Sequence, residues 1–169
     1  MRLIILGHGA FGLEIEDIAE QMGVFDSIQF LDDNTEDSCV LGKCSDFVQY
    51  IDESTFFYAA FGNNDIREMW TEALKVNHAN VANIIHPSAY ISPKTVLGKG
   101  IAVFPKAIIN SYCDIKDGCI INSGAIIDHH CILEPYVHAF LGSIVQSDNI
   151  LPSKLNVSPG SLVEKGVYQ

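Results

Sequence analysis

An aliphatic residue returns at every sixth position through the second half of the chain. The series begins at Ile85 and keeps one register to Val163, giving fourteen anchors, of which Ala139 is the smallest. A period of six fits neither an α-helix, at 3.6 residues per turn, nor an extended strand, at 2. It is typical of a parallel β-helix, in which three hexads close one coil. The pattern therefore predicts a prism of four to five coils.

Prolines and glycines follow the same period and mark the corners of this prism. Five of the six prolines stand two residues after an anchor, and six glycines stand three after one. Each hexad is then a short strand and a bend, with the anchor inside. The position four after an anchor is usually small or aliphatic, and it holds Cys113, Cys119 and Cys131. We expect these cysteines to pack in the core, with the first and last stacked in neighbouring coils.

The first half has the pattern of a nucleotide-binding βαβ module. Its predicted elements are a buried strand over residues 2–6, a glycine-rich turn over 7–12, a helix over 13–22 and a second strand over 27–31. Asp32 and Asp33 follow that second strand. A GxGxxG turn in this context lets backbone amides approach a phosphate, which the helix N-terminus also favours.

A further strand over residues 55–61, a loop over 62–65 and a helix to about Val76 complete this module. These elements make only about half of a dinucleotide domain, so the pattern favours a mononucleotide or nucleotide-sugar over NAD; a purely structural turn is the alternative. We expect two domains, residues 1–83 and 84–169.

Charge and cysteine content exclude several functions. The formal net charge is −11, with 4 basic and 15 acidic residues before residue 84 and 6 of each after it. An acidic surface argues against a nucleic-acid partner. The sequence has no long apolar run to cross a membrane or direct secretion. Five cysteines without a CxxC pair fit a reducing cytoplasm better than disulfides or zinc, so we expect a cytoplasmic protein without a metal.

Three histidines in the second half are candidates for chemistry. His129 stands two residues after an anchor, at a corner position, and is flanked by Asp128 and His130. We expect it to point away from the core, where a histidine is suited to act as a general base near neutral pH. His138 follows half a coil later. Two alternatives are that the corner histidines are exposed turn residues, or that His129, His130 and His138 bind zinc, for which the spacing is unusual.

These residues resemble a known family, the sugar-nucleotide N-acetyltransferases and sialic acid O-acetyltransferases of bacterial glycan synthesis. The resemblance covers nearly the whole chain. It is carried by the glycine-rich turn and by four further segments, at residues 30–33, 60–67, 85–89 and 121–129. It implies a Rossmann-like (βαβαβ) α/β domain followed by a left-handed parallel β-helix, a homotrimer, and acetyl-CoA as co-substrate bound between neighbouring subunits.

The resemblance also implies roles for single residues. His129 matches the base that deprotonates the amine of a nucleotide-linked amino sugar, with Asp128 and His130 beside it. His138 matches a histidine that contacts acetyl-CoA, and Ser147 and Pro159 stand where the family also contacts that co-substrate, Ser147 in place of a glycine whose amide stabilises the oxyanion. The residues matched to sugar-nucleotide binding are Gly7, Gly9, Ala10, Phe11, Asp32, Asp33, Gly62 and Asn63.

Two alternative functions remain open on the sequence. Position 130 is a histidine where the family commonly has a carboxylate, and the chain after His138 is about one coil shorter than the family pattern. One alternative is therefore a trimeric sugar-nucleotide-binding homologue whose acetyl-transfer site is degenerate. The other is an O-acetyltransferase acting on sialic acid. The first expectation is N-acetylation in the synthesis of an O-antigen, capsule or glycoprotein glycan.

Overall fold

The chain divides into two units, Met1–Ile84 and Ile85–Gln169, in a computed structural model that describes residues 1–34 and 37–169. The described part of the first unit holds four parallel strands, two α-helices and one 3₁₀ helix. These are β1 (Arg2–Leu6), α1 (Ala10–Met22), β2 (Ser27–Leu31), the 3₁₀ helix (Cys44–Tyr50), β3 (Thr55–Ala59), α2 (Asn64–Val76) and β4 (Asn80–Val81).

The sheet of the first unit has the strand order β2-β1-β3-β4, with all pairs parallel. Central strand β1 is apolar from Leu3 to Leu6, and all four of these side chains are fully buried. Such a run is typical of a parallel strand covered on both faces. Because β2 and β3 lie on opposite sides of β1, the direction of winding reverses between β1 and β3, and ligands bind at such points in open α/β sheets.

The predicted boundaries of two elements in this unit were wrong. Helix α1 begins at Ala10, three residues before its predicted start, because Gly9 supplies an extended cap (φ −81°, ψ −175°) and the last part of the glycine motif is already helical. Strand β3 ends at Ala59, two residues before its predicted end. The 3₁₀ helix was not predicted from the sequence, since seven residues with two buried side chains carry no clear period.

The second unit is a left-handed parallel β-helix: the hexapeptide period predicted the β-helix, and the family resemblance implied its hand. Between residues 84 and 169, all of which the structure describes, there are fourteen strands of two residues each. They are β5 (Ile84–Ile85), β6 (Tyr90–Ile91), β7 (Val96–Leu97), β8 (Ala102–Val103), β9 (Ile108–Ile109), β10 (Asp114–Ile115), β11 (Ile120–Ile121), β12 (Ile126–Ile127), β13 (Ile132–Leu133), β14 (His138–Ala139), β15 (Ile144–Val145), β16 (Ile150–Leu151), β17 (Asn156–Val157) and β18 (Leu162–Val163).

Every strand of the prism ends on a predicted anchor and pairs with strands one coil away. The three sheets have the orders β16-β13-β10-β7, β17-β14-β11-β8-β5 and β18-β15-β12-β9-β6. Ile127, for example, lies opposite Ile109 and Val145, eighteen residues away on either side. The anchors from Val103 to Val157 are buried and form one continuous core with the cysteines at 113, 119 and 131.

The corners of the prism lie where the prolines and glycines predicted them. Twelve residues that stand three after an anchor have a left-handed backbone, with φ between 58° and 68°. Six are glycines, which adopt this conformation without strain. The other six, His130 among them, carry side chains at the same φ and so are held there by the ladders on both sides of the corner. His130 and Tyr112 are exposed at such corners, whereas Tyr136 is buried at one.

Candidate functional site

The predicted sugar-nucleotide residues of the first unit gather at the carboxyl ends of β1 and β3. The glycine-rich turn follows β1, and Gly62 and Asn63 follow β3. The ends of these strands lie close together. Ala60 donates its amide hydrogen to the Leu6 carbonyl (2.8 Å). Any residue larger than glycine at position 7 would place its Cβ only 3.0 Å from the Ala60 carbonyl oxygen. Gly7 (φ 103°) is buried beneath this edge, and its amide donates to the Leu31 carbonyl.

The N-terminus of α1 forms one wall of this edge. Gly9 caps the helix through its backbone carbonyl, which accepts the Leu13 amide, and the first turn holds no acidic residue. Gly9 and Ala10 are exposed and Phe11 is half-buried. A Cβ on Gly9 would meet no atom within 4 Å, so the protein itself does not require a glycine there. A helix N-terminus with a small cap and no acidic residue in its first turn is suited to bind a phosphate.

Helix α2 begins differently, because Asn63 caps it. The side-chain oxygen of Asn63 accepts the amides of Asp65 (3.0 Å) and Ile66 (3.1 Å), and Asp65 adds a negative charge to the first turn. These contacts occupy the amide hydrogens that an anion would use. Of the two helices, α1 therefore offers the better anion site.

Asp32 and Asp33 hold the loops of this edge together. The two carboxylate oxygens of Asp32 accept the amides of His8 and Asn34, each at 2.7 Å, and Asp33 accepts the amide of Cys44 at 2.9 Å. A carboxylate can accept about four hydrogen bonds, so Asp32 retains capacity for a ligand hydroxyl. The structure thus gives Asp32 a positioning contact to the glycine-rich turn that the sequence did not predict.

Arg67 is a second positioning residue that sequence reasoning missed. Its guanidinium is fully buried and donates to the carbonyls of Phe61 (2.8 Å) and Gly62 (3.3 Å) and to the side-chain oxygen of Asn64 (2.7 Å). These bonds fix the loop between β3 and α2. The helical position of Arg67, three residues after Asn64, was visible in the sequence, but its direction toward the preceding loop was not.

One group of side chains in the described part of the chain has the donor atoms of a metal site. The ligand atoms of His8, Asp37 and Cys39 lie within 4.8 Å of one another, and the Cys39 sulfur is 3.3 Å from His8 Nε2. Burial, and then the negative charge of Asp37, raise the pKa of the Cys39 thiol, which favours the protonated form over a thiolate ligand. Hydrogen bonding among the three groups accounts for the cluster. His129, His130 and His138, the alternative zinc ligands, do not form a common group.

His129 lies on an exposed corner of the β-helix, as predicted. It follows β12, and about half of its side chain is exposed. Its Nε2 atom is 3.9 Å from a carboxylate oxygen of Asp128, and its Nδ1 atom is 2.8 Å from Nδ1 of His130. One ring nitrogen thus lies within hydrogen-bond distance of a neighbouring imidazole, while the other faces a carboxylate beyond that distance. This arrangement can accept a proton and stabilise the resulting imidazolium.

Asp128 lies between two coils and is held as a carboxylate. Partial burial opposes its ionisation, but hydrogen bonds from the His129 amide and from the Asn110 side chain (3.1 Å), together with the charge of His129 and the Ser147 amide, hold the pKa of its carboxyl below the usual range. Ser147 lies one coil beyond His129, as its spacing predicted, and is buried. Its amide is directed at the Asp128 carboxylate.

Two of the three residues matched to acetyl-CoA, His138 and Pro159, lie on another sheet, whereas Ser147 follows β15 on the sheet of β12. His138 is in β14, which pairs with β17, and Pro159 is exposed at the corner after β17. The His138 side chain is 4% exposed, stacks on Phe140 with ring centroids 3.7 Å apart, and has Nε2 at 3.4 Å from the Asn122 amide nitrogen. These contacts fix the orientation of the imidazole. Within one chain, His138 and His129 therefore belong to different sheets of the prism.

Two residues beside the candidate base were not singled out from the sequence. Tyr112 stacks on His130, with centroids 5.0 Å apart and an interplanar angle of 27°. Lys94 donates to the Tyr112 hydroxyl at 2.9 Å and lies 5.0 Å from the centre of the same ring. Lys94, Tyr112 and His130 are eighteen residues apart, the length of one coil, and this spacing was a signal that could have identified them.

Comparison with known proteins agrees with this architecture. Residues 2–74 match the family of PglD N-terminal domains. The whole chain is similar to the acetyltransferase domain of PglB from Neisseria gonorrhoeae, with 28% identity over 97% of this chain and 91% of that one and a TM-score of 0.87. The acetyl coenzyme A complex of that domain gives 27% identity over 95% and 94% of the two chains and a TM-score of 0.78.

A third similar structure is a variant of perosamine N-acetyltransferase from Caulobacter crescentus, in complex with CoA and GDP-perosamine. It is 23% identical over 98% of this chain and 89% of that one, with a TM-score of 0.77, and at this identity the likeness concerns the fold.

The similarity to the PglB acetyltransferase domain along nearly the whole chain indicates an acyltransferase, and the stacked short strands are those of the hexapeptide-repeat class. The match of the first unit and the similarity along nearly the whole chain support the sugar-nucleotide N-acetyltransferase family, in agreement with the resemblance seen in the sequence. None of the helices in residues 1–34 and 37–169 combines the length and apolar character that crossing a membrane requires.

Proposed function

We propose that the protein transfers the acetyl group of acetyl-CoA to the amine of a nucleotide-linked amino sugar, with His129 as the general base. The observation that carries this proposal is the exposed imidazole at the corner after β12, with a carboxylate 3.9 Å from Nε2. The similar PglB domain with acetyl coenzyme A bound supports the choice of co-substrate. The Caulobacter enzyme with GDP-perosamine bound supports a nucleotide-linked amino sugar as acceptor.

The first unit supplies the binding site for the nucleotide in this proposal. A diphosphate accepts hydrogen bonds from the first-turn amides of α1, where Gly9 leaves room for its close approach. Asp32 accepts a further hydrogen bond, from a hydroxyl or amide group of the ribose or base, with its remaining lone pairs. Gly62 and Asn63 line the site at the end of β3. The six lysines of the second unit make that unit formally neutral, whereas the first unit is strongly acidic, so the anionic co-substrate is better placed on the second.

In the reaction, the amine nitrogen of the sugar attacks the thioester carbonyl of acetyl-CoA. The new C–N bond forms and the C–S bond breaks, while the amine proton passes to Nε2 of His129 and then to the departing thiolate. The Asp128 carboxylate stabilises the imidazolium that forms between these steps. His138, held by Phe140 and Asn122, and Pro159 contact acetyl-CoA, and Ser147 lies one coil beyond the base.

Homotrimer formation completes the proposal. The outer surface of the sheet containing β12 carries an aligned apolar row, Tyr90, Ile108, Ile126, Ile144 and Leu162, in which each residue lies opposite the next. Tyr90 and Leu162 are each more than half exposed in the single chain. A flat apolar row of this kind indicates a protein interface, and a threefold assembly of identical chains covers it in every copy.

The proposal is tested by incubating the protein with acetyl-CoA and a panel of nucleotide-linked 4-amino sugars, with the acetylated product detected by mass spectrometry. We expect His129→Ala to lower kcat by about 10² to 10⁴ while calorimetry shows nearly unchanged nucleotide-sugar binding. Nucleotide-sugar binding without acetylation of any panel member supports the degenerate homologue instead. Acetylation of free sialic acid alone supports the O-acetyltransferase.

A further inference from the structure

A column of side chains runs along the corner that carries His129. Lys94, Tyr112, His130 and Asp148 each stand three residues after an anchor of the same sheet, so they follow one another at intervals of one coil. His130 is in the left-handed region (φ 58°), which directs its ring outward at the corner. Its ring is fixed from two sides, by stacking on Tyr112 and by an edge-on contact with His129.

Only one hydrogen atom can lie between the two Nδ1 atoms of His129 and His130. His129 Nδ1 and His130 Nδ1 are 2.8 Å apart, which is a hydrogen-bond distance between two nitrogens. One nitrogen must donate and the other must accept, so the two rings cannot both be protonated at Nδ1. Which nitrogen carries the proton is decided by the charges around each ring.

The surrounding charges differ between the two rings. His129 faces carboxylates: Asp128 is 3.9 Å from its Nε2, and Asp148 lies close enough for the positive charge of His129 to contribute to lowering the pKa of its carboxyl. His130 instead stacks on a tyrosine that already binds the Lys94 ammonium, both at its hydroxyl and over its ring. A second cation on that ring is less favourable, because the two positive charges repel across it.

The remaining charge near this corner is compensated. Lys165 forms an ion pair with Asp148 at 2.9 Å, in which the Asp148 carboxylate raises the pKa of the Lys165 amine. Two charges therefore make the surroundings of the imidazoles different: the Asp128 carboxylate beside His129, and the Lys94 ammonium on the tyrosine that stacks on His130. A positive charge formed on the pair is stabilised on His129.

From this geometry we infer that His130 is a positioning residue for the base: as a neutral imidazole, its Nδ1 accepts the Nδ1 hydrogen of His129, which leaves Nε2 of His129, the atom nearest the Asp128 carboxylate, unprotonated and available to the sugar amine. The inference rests on the function proposed above. Stacking on Tyr112, with Lys94 beyond it, holds the His130 ring in place. When His129 takes the amine proton, the bond to His130 becomes a hydrogen bond from a cation, which is stronger than that from the neutral ring.

The first test determines the tautomers of His129 and His130, and it does not depend on catalysis. Long-range ¹H–¹⁵N correlation spectra of the histidine side chains, recorded on the whole protein above neutral pH, distinguish Nδ1–H from Nε2–H imidazoles. We expect His129 in the Nδ1–H form and His130 in the Nε2–H form. The reverse assignment, or two Nε2–H rings, overturns the inference even if the protein is an active acetyltransferase.

Substitutions at position 130 provide the second test. In His130→Asn the amide oxygen replaces the accepting nitrogen at nearly the same distance along the side chain, and asparagine tolerates the left-handed backbone. His130→Phe retains the stack on Tyr112 but removes the acceptor. We expect His130→Phe to lower kcat about 10- to 100-fold with little change in KM, the range for a hydrogen bond to a charged group, and His130→Asn to retain most activity.

His130→Asp tests the effect of a negative charge at position 130. A carboxylate that accepts from His129 Nδ1 stabilises the protonated base, so we expect the acidic limb of the kcat/KM profile to move to higher pH. Equal loss of activity in the Asn, Asp and Phe variants, with no change in the profile, overturns the inference. Lys154→Asn is the matched control, since it changes another left-handed corner (φ 63°) on a different sheet. It should leave the tautomers of both histidines unchanged.

These tests separate the inference from the proposed function. A wild-type protein that acetylates no sugar in the panel but shows the expected tautomers contradicts the function and leaves the paired histidines in place. A wild-type protein that turns over, yet has His129 in the Nε2–H form, contradicts the inference alone.

Discussion

Replacing Gly12 by alanine should destabilise the first unit, because the added Cβ would clash with the backbone of the glycine-rich turn. Gly12 lies in the first turn of α1, and a Cβ there would be 2.0 Å from the Gly7 carbonyl oxygen and 3.7 Å from the Phe30 ring. Ordinary contact begins at 3.4 Å, so the helix and the turn must separate by about 1.4 Å. The blocking atom is backbone, and no side-chain rotation relieves the contact.

The expected change in the free energy of unfolding is the difference between two opposing effects. Overpacking of a tightly packed contact costs about 1–3 kcal/mol, and the backbone origin of this contact favours the upper end of that range. Alanine is better than glycine in a helix by about 1 kcal/mol, which offsets part of the loss. We expect Gly12→Ala to lower the free energy of unfolding by about 2 kcal/mol. For a urea dependence of about 1 kcal/mol per M, the midpoint falls by about 2 M.

The assay uses the only tryptophan of the chain, Trp70, which lies in α2 and packs against Phe47 with ring centroids 6.4 Å apart. Its fluorescence during urea unfolding reports the first unit without contribution from the β-helix. Gly9→Ala is the matched control, because its Cβ meets nothing within 4 Å and a change at an N-cap from glycine costs less than about 1 kcal/mol. Equal midpoints for Gly12→Ala and Gly9→Ala would refute the argument from close packing.

Further predictions concern ligand approach, pH and assembly. Gly9→Ala should weaken nucleotide-sugar binding in calorimetry despite its small effect on unfolding, and unchanged affinity would exclude close approach of a phosphate to Gly9. Hydrogen bonds from Ser54 and Thr55 lower the pKa of Asp52 from 3.8 to about 2. Its contribution to stability is therefore complete above pH 4 and lost as pH falls toward 2, so urea midpoints should fall over this range in the wild type and less in Asp52→Asn. Ile144→Lys should reduce the mass measured by light scattering to that of one chain; an unchanged mass would contradict the apolar interface.

The control for assembly lies in the first unit. Val76→Lys introduces the same charge at the end of α2, on a side chain that is 75% exposed. It should leave the mass unchanged. A loss of assembly in both variants would mean that added charge, rather than the row on the β-helix, is responsible.

The sequence alone was sufficient for the β-helix because the repeat is local and redundant. Each anchor is specified within its own hexad, and fourteen hexads in one register leave no alternative period. The corners were equally predictable, since glycine marks six of the positions that need a left-handed backbone. In the first unit the elements were predicted but their ends were not: α1 begins at Ala10 because Gly9 caps it, and Gly12 in its first turn packs against Gly7, a contact that composition does not reveal.

In the candidate site, too, the sequence predicted the positions of residues but not their contacts. The sequence placed His129 at an exposed corner, with Asp128 and His130 beside it and Ser147 one coil beyond, because the six-residue period fixes the position of every residue in a coil. It did not determine which atoms meet. The Nδ1 contact between His129 and His130, the stack of His130 on Tyr112 and the engagement of Asp32 by the His8 amide depend on side-chain rotamers and on chain segments brought together by folding. Periodicity specifies which face a residue occupies, whereas the direction and partner of its side chain are decided only when neighbouring coils and strands are packed together.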